Sequence, residues 1–409
     1  MPTEYSSLQE KKFMHQDDWA DGLPAIDDII MGDLMEDPYP IYARAREMGS
    51  VVRIAATGLC LVTHFDDIIA IERDPETFSS RIPESNVVQL FGANLMRKDG
   101  HDHRRERQAI DPALRPGTAK RCWAPRLEAI VDDILNEVEP LGQADLFSAV
   151  AEPIAGRALI EVIGFVDLEW QTIARWSQAM MDGSSNYSQD SEPRLRALAA
   201  GREIERAVDL SLNQAGGPPE DSILGSMSRA GLSREEIHGN AKVAVGGGFN
   251  EPRDSLLSLL LGVLSDPVQR DRLLSDPALW PAAFDEAVRW ISPIGMYPRK
   301  LTRDASIGGV TLPRGALIGL SVAAANREPE RFVDPDRFDL SRPKVKNLAF
   351  GSGPHFCAGS WVARTLVGGI AGPRIFSRLS ALRLVDSETV PVRGWVFRGP
   401  TSLPAQWTV

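Results

Sequence analysis

The sequence predicts a mainly α protein with a minor β part. Three observations carry this. Residues 101–290 form a run of helix-length segments punctuated by Pro and Gly. Inside that run, Ser233 precedes a long uninterrupted helical stretch to Ser265, with Glu236 three residues on in capping-box position. Strand-like, β-branched pieces occupy only the flanks.

In chain order, residues 40–48 predict a short helix. Residues 51–63 (VVRIAATGLCLVT) predict two strands joined at Thr57-Gly58. Residues 78–96 hold Pro83, Ser85, Asn86, Gly92 and Asn94 with little periodicity, and predict a long loop of the functional kind. Helices are expected over 101–112, 126–138, 147–163, 168–181, 195–212, 233–265 and 275–290. Residues 299–320 predict strands around Gly308-Gly309 and Pro313-Arg314-Gly315, and 327–350 are irregular. A last helix starts near Cys357, and the chain from Leu382 is β-rich.

With 409 residues, 43% of them hydrophobic, the chain can bury a large core. No repeat or linker divides it, so 1–409 reads as one domain, with 1–20 a flexible polar extension. The net charge of -11 gives no bulk reason to bind nucleic acid. No stretch is long and apolar enough to span a membrane, and three cysteines make no disulfide framework. A cytoplasmic protein is expected. Cys60 and Cys122 are expected to be inert.

The sharpest signal is the segment from Phe350 to Gly359, FGSGPHFCAG. A thiolate that binds a metal must be deprotonated and its charge met by backbone N–H groups. A helix N-terminus supplies these and lowers a cysteine pKa. Gly351, Gly353 and Gly359 allow close backbone approach, Phe350 can exclude water, and Cys357 stands where a helix begins.

Phe350, Gly353, His355, Cys357 and Gly359 stand at the spacing of the haem loop of the cytochromes P450, which the chain resembles. The resemblance implies the P450 fold, with haem b between the long central helix and the loop, and Cys357 as axial ligand of the iron. A thiolate ligand favours dioxygen cleavage. It further implies propionate ligands at His103, Arg107, Arg299 and His355. The pair Glu286 and Arg289, with Arg337 downstream, is expected to form a buried network supporting the loop. With no flavin or iron–sulfur domain in the chain, electrons from NAD(P)H must arrive through a separate ferredoxin or reductase. Arg104, Arg105, Lys344, Lys346 and Arg364 are expected to form a basic face for it.

The chain departs from the family in the central helix, where an acid followed by threonine usually relays protons. Here the order is Gly247-Gly248-Phe249-Asn250-Glu251-Pro252. Pro252 is expected to open the helix, leaving Glu251 to deliver protons and Asn250 to orient water. The competing reading pairs Glu251 with Arg253 or another base, so that it only stabilises the kink. The Asn-Glu-Pro order and the C-terminal GWVFRGPTSL resemble the aromatic O-demethylase P450s of guaiacol-type substrates.

The expected pocket comprises Val245, Gly248, Phe249, Ile294, Met296, Tyr297 and Phe397, with Val87, Leu90 and Phe91 as weaker candidates. Such a lining suits a small, mostly apolar or aromatic substrate. The implied activity is monooxygenation, with O-demethylation of a methoxy-aromatic as its specific form. Hydroxylation of a terpenoid or other alicyclic molecule is the alternative, and a peroxygenase ranks lower.

Overall fold

Strands Val51–Ile54 and Leu59–Val62 pair antiparallel, and Gly58 between them takes the left-handed conformation (φ 66°) that the expected turn requires. The computed structural model describes residues 18–386 and 390–409. The hairpin sits in a six-stranded sheet ordered Ala25–Ile26, Val51–Ile54, Leu59–Val62, Leu317–Leu320, Tyr297–Leu301 and Phe78–Ser79. Cys60 lies in this sheet opposite Ile318 and is buried, as expected. Residues 1–17 of the expected extension lie outside the described residues. Asp18–Ala20 is not part of a flexible tail: it forms a helical turn, and Ala20 is buried in the sheet's core.

The rest is helical, in agreement with the predicted class. Tyr39–Met48, Gly100–Leu114, Ala124–Val138, Glu152–Ile163, Trp170–Ser184 and Ser191–Asn213 stand close to their expected bounds. Helices Ile223–Arg229 and Pro267–Ser275 escaped the sequence reading. The latter ends where the expected 275–290 helix was to begin, and Trp280–Trp290 follows it. The long loop at 78–96 also needs correction. It contains the helix Asn86–Phe91, capped by Ser85 Oγ accepting from the Val88 N–H. Six residues are too few to show a period.

Arg234–Ser265 crosses the molecule as one helix of 32 residues. Its capping box forms as expected, Ser233 Oγ accepting from Glu236 N–H and Glu236 Oε2 from Ser233 N–H. The expected opening at Pro252 does not occur, and the helix continues through it. Two hydroxyls bond neighbouring carbonyls: Ser177 Oγ donates to Gly246 O (3.0 Å) and Ser255 Oγ to Glu251 O (2.6 Å).

Candidate active site

The loop at Cys357 is held from several sides. Cys357 N–H donates to Phe350 O at 2.9 Å, closing the turn. Gly351 and Gly353 have φ of 70° and 64°, and a Cβ on Gly353 would lie 2.3 Å from the Glu72 carbonyl oxygen. Beneath the loop, Glu72 is almost fully buried and takes the Tyr297 hydroxyl at 2.6 Å. Tyr297 is therefore a support of this loop, not a wall of the pocket. Glu72 carried no motif that sequence could have flagged. Arg107 Nη1 donates to Phe356 O at 2.7 Å, and its Nε pairs with Asp111. The Arg364 guanidinium stacks over Phe350 at 4.7 Å.

Cys357 retains exposed surface, yet desolvation by the surrounding protein raises its thiol pKa. Both hold only if the sulfur looks into an interior cavity. N–H groups of Gly359 and Ser360 point at it and pull the other way, as the helix start predicts, but burial outweighs them. The expected lowering is thus reversed in the protein taken alone.

The buried network behind the loop needs one change. Glu286 and Arg289 form a bidentate pair at 2.7 and 2.8 Å, and Arg289 also donates to the carbonyls of Asn326, Pro335 and Arg337. The second arginine is Arg342, whose Nε donates to Glu286 Oε1 at 3.2 Å. Arg337 contributes only its carbonyl. Its side chain is exposed and lies 4.0 Å from Asp266.

Four basic groups meet at one edge of the cavity. The His103 and His355 rings stack at 4.1 Å, and His355 Nε2 bonds Asp99 at 3.0 Å. Burial, then the neighbouring His355 and Arg107 charges, lower the His103 pKa to about 4, and its Nε2 has no partner among the described residues. Arg299 is buried. Beside it stands Arg97, which the sequence reading missed. Burial first and the Arg299 charge second bring the Arg97 guanidinium to about 10, and its Nε is also unpartnered. Buried cations side by side call for anionic charge. A planar macrocycle carrying two carboxylates beside a thiolate fits this donor set. Arg107, committed to Asp111 and Phe356, fits it less directly than expected.

The central helix turns one strip toward the cavity. Val243, Ala244, Gly248 and Glu251 are partly open and Gly247 is exposed, although Val245, Gly246, Phe249 and Asn250 around them are buried. The expected wall is thus out of phase. Val245 is fully buried, and Phe249 packs beside Gly156 and under the Arg253 guanidinium. Gly248 abuts Leu159, where a Cβ would lie 2.5 Å away. Met296 is core, packed against Gly319 and Leu61 of the sheet. Phe91 packs against Gly246, Leu90 against Gly183, and both are buried, as is Val87. Ile294 and Phe397 do meet, bridged backbone to backbone and both partly open.

Glu251 folds back over Gly247, its Oε1 3.5 Å from where a Cβ would stand. Its Oε2 has no partner among the described residues, nor has Oδ1 of the buried Asn250. Burial, then the Asp254 charge, push the Glu251 carboxyl up to about 8, and its charge acts on Cys357. The pairing of Glu251 with Arg253 is not found: Arg253 turns to Asp254 at 2.8 Å and Glu152 at 3.7 Å.

Comparison with known proteins agrees with this geometry. The family model described as Cytochrome P450 matches residues 273–368, which include Glu286, Arg289, Arg342 and Cys357. Biflaviolin synthase CYP158A1 of Streptomyces coelicolor is 30% identical over 363 residues, 85% of this chain and 86% of that protein. Cytochrome P450 107B1 of Saccharopolyspora erythraea is 28% identical over 375 residues, 86% and 90% of the two chains. The crystal structure of CalO2 superposes with a TM-score of 0.84 at 28% identity, over 94% of this chain and 99% of that one.

Proposed function

The chain belongs to the cytochrome P450 family and is a monooxygenase, and on that premise we propose that it O-demethylates a small methoxy-aromatic molecule. Haem b supplies dioxygen activation, with electrons from a redox partner. Cys357 would hold the iron, and His103, His355, Arg97 and Arg299 the propionates. Gly359 and Ser360 N–H groups spread the thiolate charge. Val243, Ala244, Gly247, Ile294 and Phe397 orient an apolar ring, and small residues at 244 and 247 leave room for it beside the helix. Oxidation of the methyl C–H bond gives a hemiacetal, which collapses to a phenol and formaldehyde.

One observation carries the reading. In the Asn250-Glu251-Pro252 order that resembles the guaiacol-type enzymes, Glu251 lies on the open strip, without an ion-pair partner among the described residues and with its charge felt at Cys357. There it holds a proton within the cavity, where a threonine usually stands. The ferric protein should be titrated with guaiacol-like methoxyarenes, methoxybenzoates, monoterpenes and fatty acids. A saturable high-spin shift with methoxyarenes, followed by turnover that releases one formaldehyde per phenol, is the expected result. A shift with terpenes or fatty acids alone would replace this reading with hydroxylation.

A further inference from the structure

A cluster of charged groups lies behind Glu251, on the side away from the cavity. Arg253 is the one cation in contact with it among the described residues, and it bonds two carboxylates: Nε with Asp254 Oδ1 at 2.8 Å and Nη1 with Glu152 Oε1 at 3.7 Å. Its guanidinium is clamped over the Phe147 and Phe249 rings at 4.8 and 5.5 Å. Asp254 is buried, and a Cβ on Gly399 would lie 2.5 Å from its carboxyl carbon, so the C-terminal segment seals it from solvent. Glu152 opens the helix Glu152–Ile163 with its side chain 23% exposed, at the surface end of the cluster. Asp145, nearby, is held by Phe147 N–H, Leu403 N–H and Ser402 Oγ.

Charge then decides the protonation. Glu152 and Asp254 share one guanidinium, with Glu251 beside them in a poorly solvated region, and three carboxylates against one cation is not a stable arrangement there. Of the charged groups described around Glu251, Asp254 on its own helix and Cys357 on the loop add negative charge when ionised, and Arg253 opposes them. Glu251 and Asp254 are three residues apart and neighbours on the helix.

We propose that Asp254 and Glu152, held in line by Arg253, form the route by which protons from the surface reach Glu251. The proposal rests on the reading of Glu251 as the group that holds the proton. When Glu251 gives up its proton it becomes a carboxylate. Glu152 takes a proton from water and hands it to Asp254, which passes it on to Glu251 and returns to its ionised state on Arg253. Arg253 stabilises whichever of its two partners is ionised. Asp254 and Glu152 are positioning and relay residues, with no contact to the reacting atoms.

The test uses the haem-loaded full chain as Glu251→Gln, Asp254→Asn, Glu152→Gln and the double variant Glu251→Gln/Asp254→Asn. Each is first checked for the thiolate-type carbon monoxide band. Product per NADH, peroxide released and the solvent deuterium isotope effect on turnover are then measured. Asp254→Asn and Glu152→Gln should each cut product per NADH several-fold, raise peroxide and enlarge the isotope effect. The double variant should be no worse than Glu251→Gln. Infrared titration of the protonated carboxyl band gives a readout independent of turnover: its midpoint near 8 should move down in Asp254→Asn, since a neighbouring negative charge is gone. Should Asp254→Asn fail to load haem, Glu152→Gln, at the partly exposed end, decides by the same readings. An unaltered yield and isotope effect in the relay variants, with Glu251→Gln impaired, would overturn the route and leave Glu251 in place. A fully coupled Glu251→Gln would instead remove the reading on which the route rests.

Discussion

Glu251 has no cation bonded to it among the described residues, and its carboxyl is held up at about 8 against 4.5 in an open chain. Its folded form prefers the proton. The stability this contributes is complete below pH 4.5 and is lost as pH rises to about 8. Over that window the wild-type protein should lose roughly 1.4 kcal/mol per pH unit relative to Glu251→Gln, which cannot ionise. Paired unfolding curves at several pH values within it measure this, and parallel pH profiles would reject a buried, unpaired carboxyl. The arginines behind the loop give a second comparison. Arg342 is 8% exposed and bonded to a buried Glu286, whereas Arg337 is 65% exposed. Removing one partner of a buried pair costs about 3–5 kcal/mol. An exposed change costs within about 0.5 kcal/mol. Arg342→Ala should therefore unfold earlier and lose haem more readily, with Arg337→Ala close to wild type in urea. The family resemblance pointed to the Glu286–Arg289 pair, and the i, i+3 spacing, which puts both on one helix face, made it feasible. The sequence reading named Arg337 as the second arginine, and only the path of that irregular segment shows that the guanidinium of Arg342, five residues on, turns inward instead.

The central helix shows the same limit at the scale of an element. Its ends were legible, since the capping box is written in Ser233 and Glu236. Its rotation was not. Apolar residues surround the helix as it crosses the core, so no polar face fixes the phase, and the expected wall of Val245 and Phe249 belongs to the packed side. Neighbouring glycines separate the two sides. A methyl at Gly248 would strike Leu159 at 2.5 Å, whereas at Gly247 it would meet nothing nearer than the Glu251 carboxylate at 3.5 Å. Gly248→Ala should cost about 1–3 kcal/mol from overpacking. Gly247→Ala should leave stability nearly unchanged and weaken the spin-state response to the bulkier members of the ligand panel. Thermal unfolding and the ferric titration read the two effects separately. Equal destabilisation by both would mean that Gly247 does not face a cavity.

Across the whole molecule acidic residues are in excess, and the basic residues expected to ring the cysteine loop are unequally available. Part of the expected face is already neutralised: Arg105 bonds Glu236, and Arg364 bonds Asp285. Lys346 turns to Ser352. Arg104 is exposed and makes no ion pair among the described residues. The same side carries Phe356 at 37% and Trp361 at 47% exposure, large apolar groups that water does not favour. An acidic electron donor would be steered by Arg104 and seated on the two rings. Arg104→Glu should then slow reduction of the ferric protein at low salt and flatten its salt dependence, since free charges are screened beyond about 8 Å at physiological ionic strength. Trp361→Ala should slow reduction equally at all salt concentrations, because it removes contact area and no charge. Arg105→Glu is the less informative change, for it also breaks the bond to Glu236 at the start of the central helix. Stopped-flow reduction with an acidic ferredoxin across a salt series gives all three. If Arg104→Glu left both the rate and its salt slope unaltered, the partner would have to approach the loop from another direction.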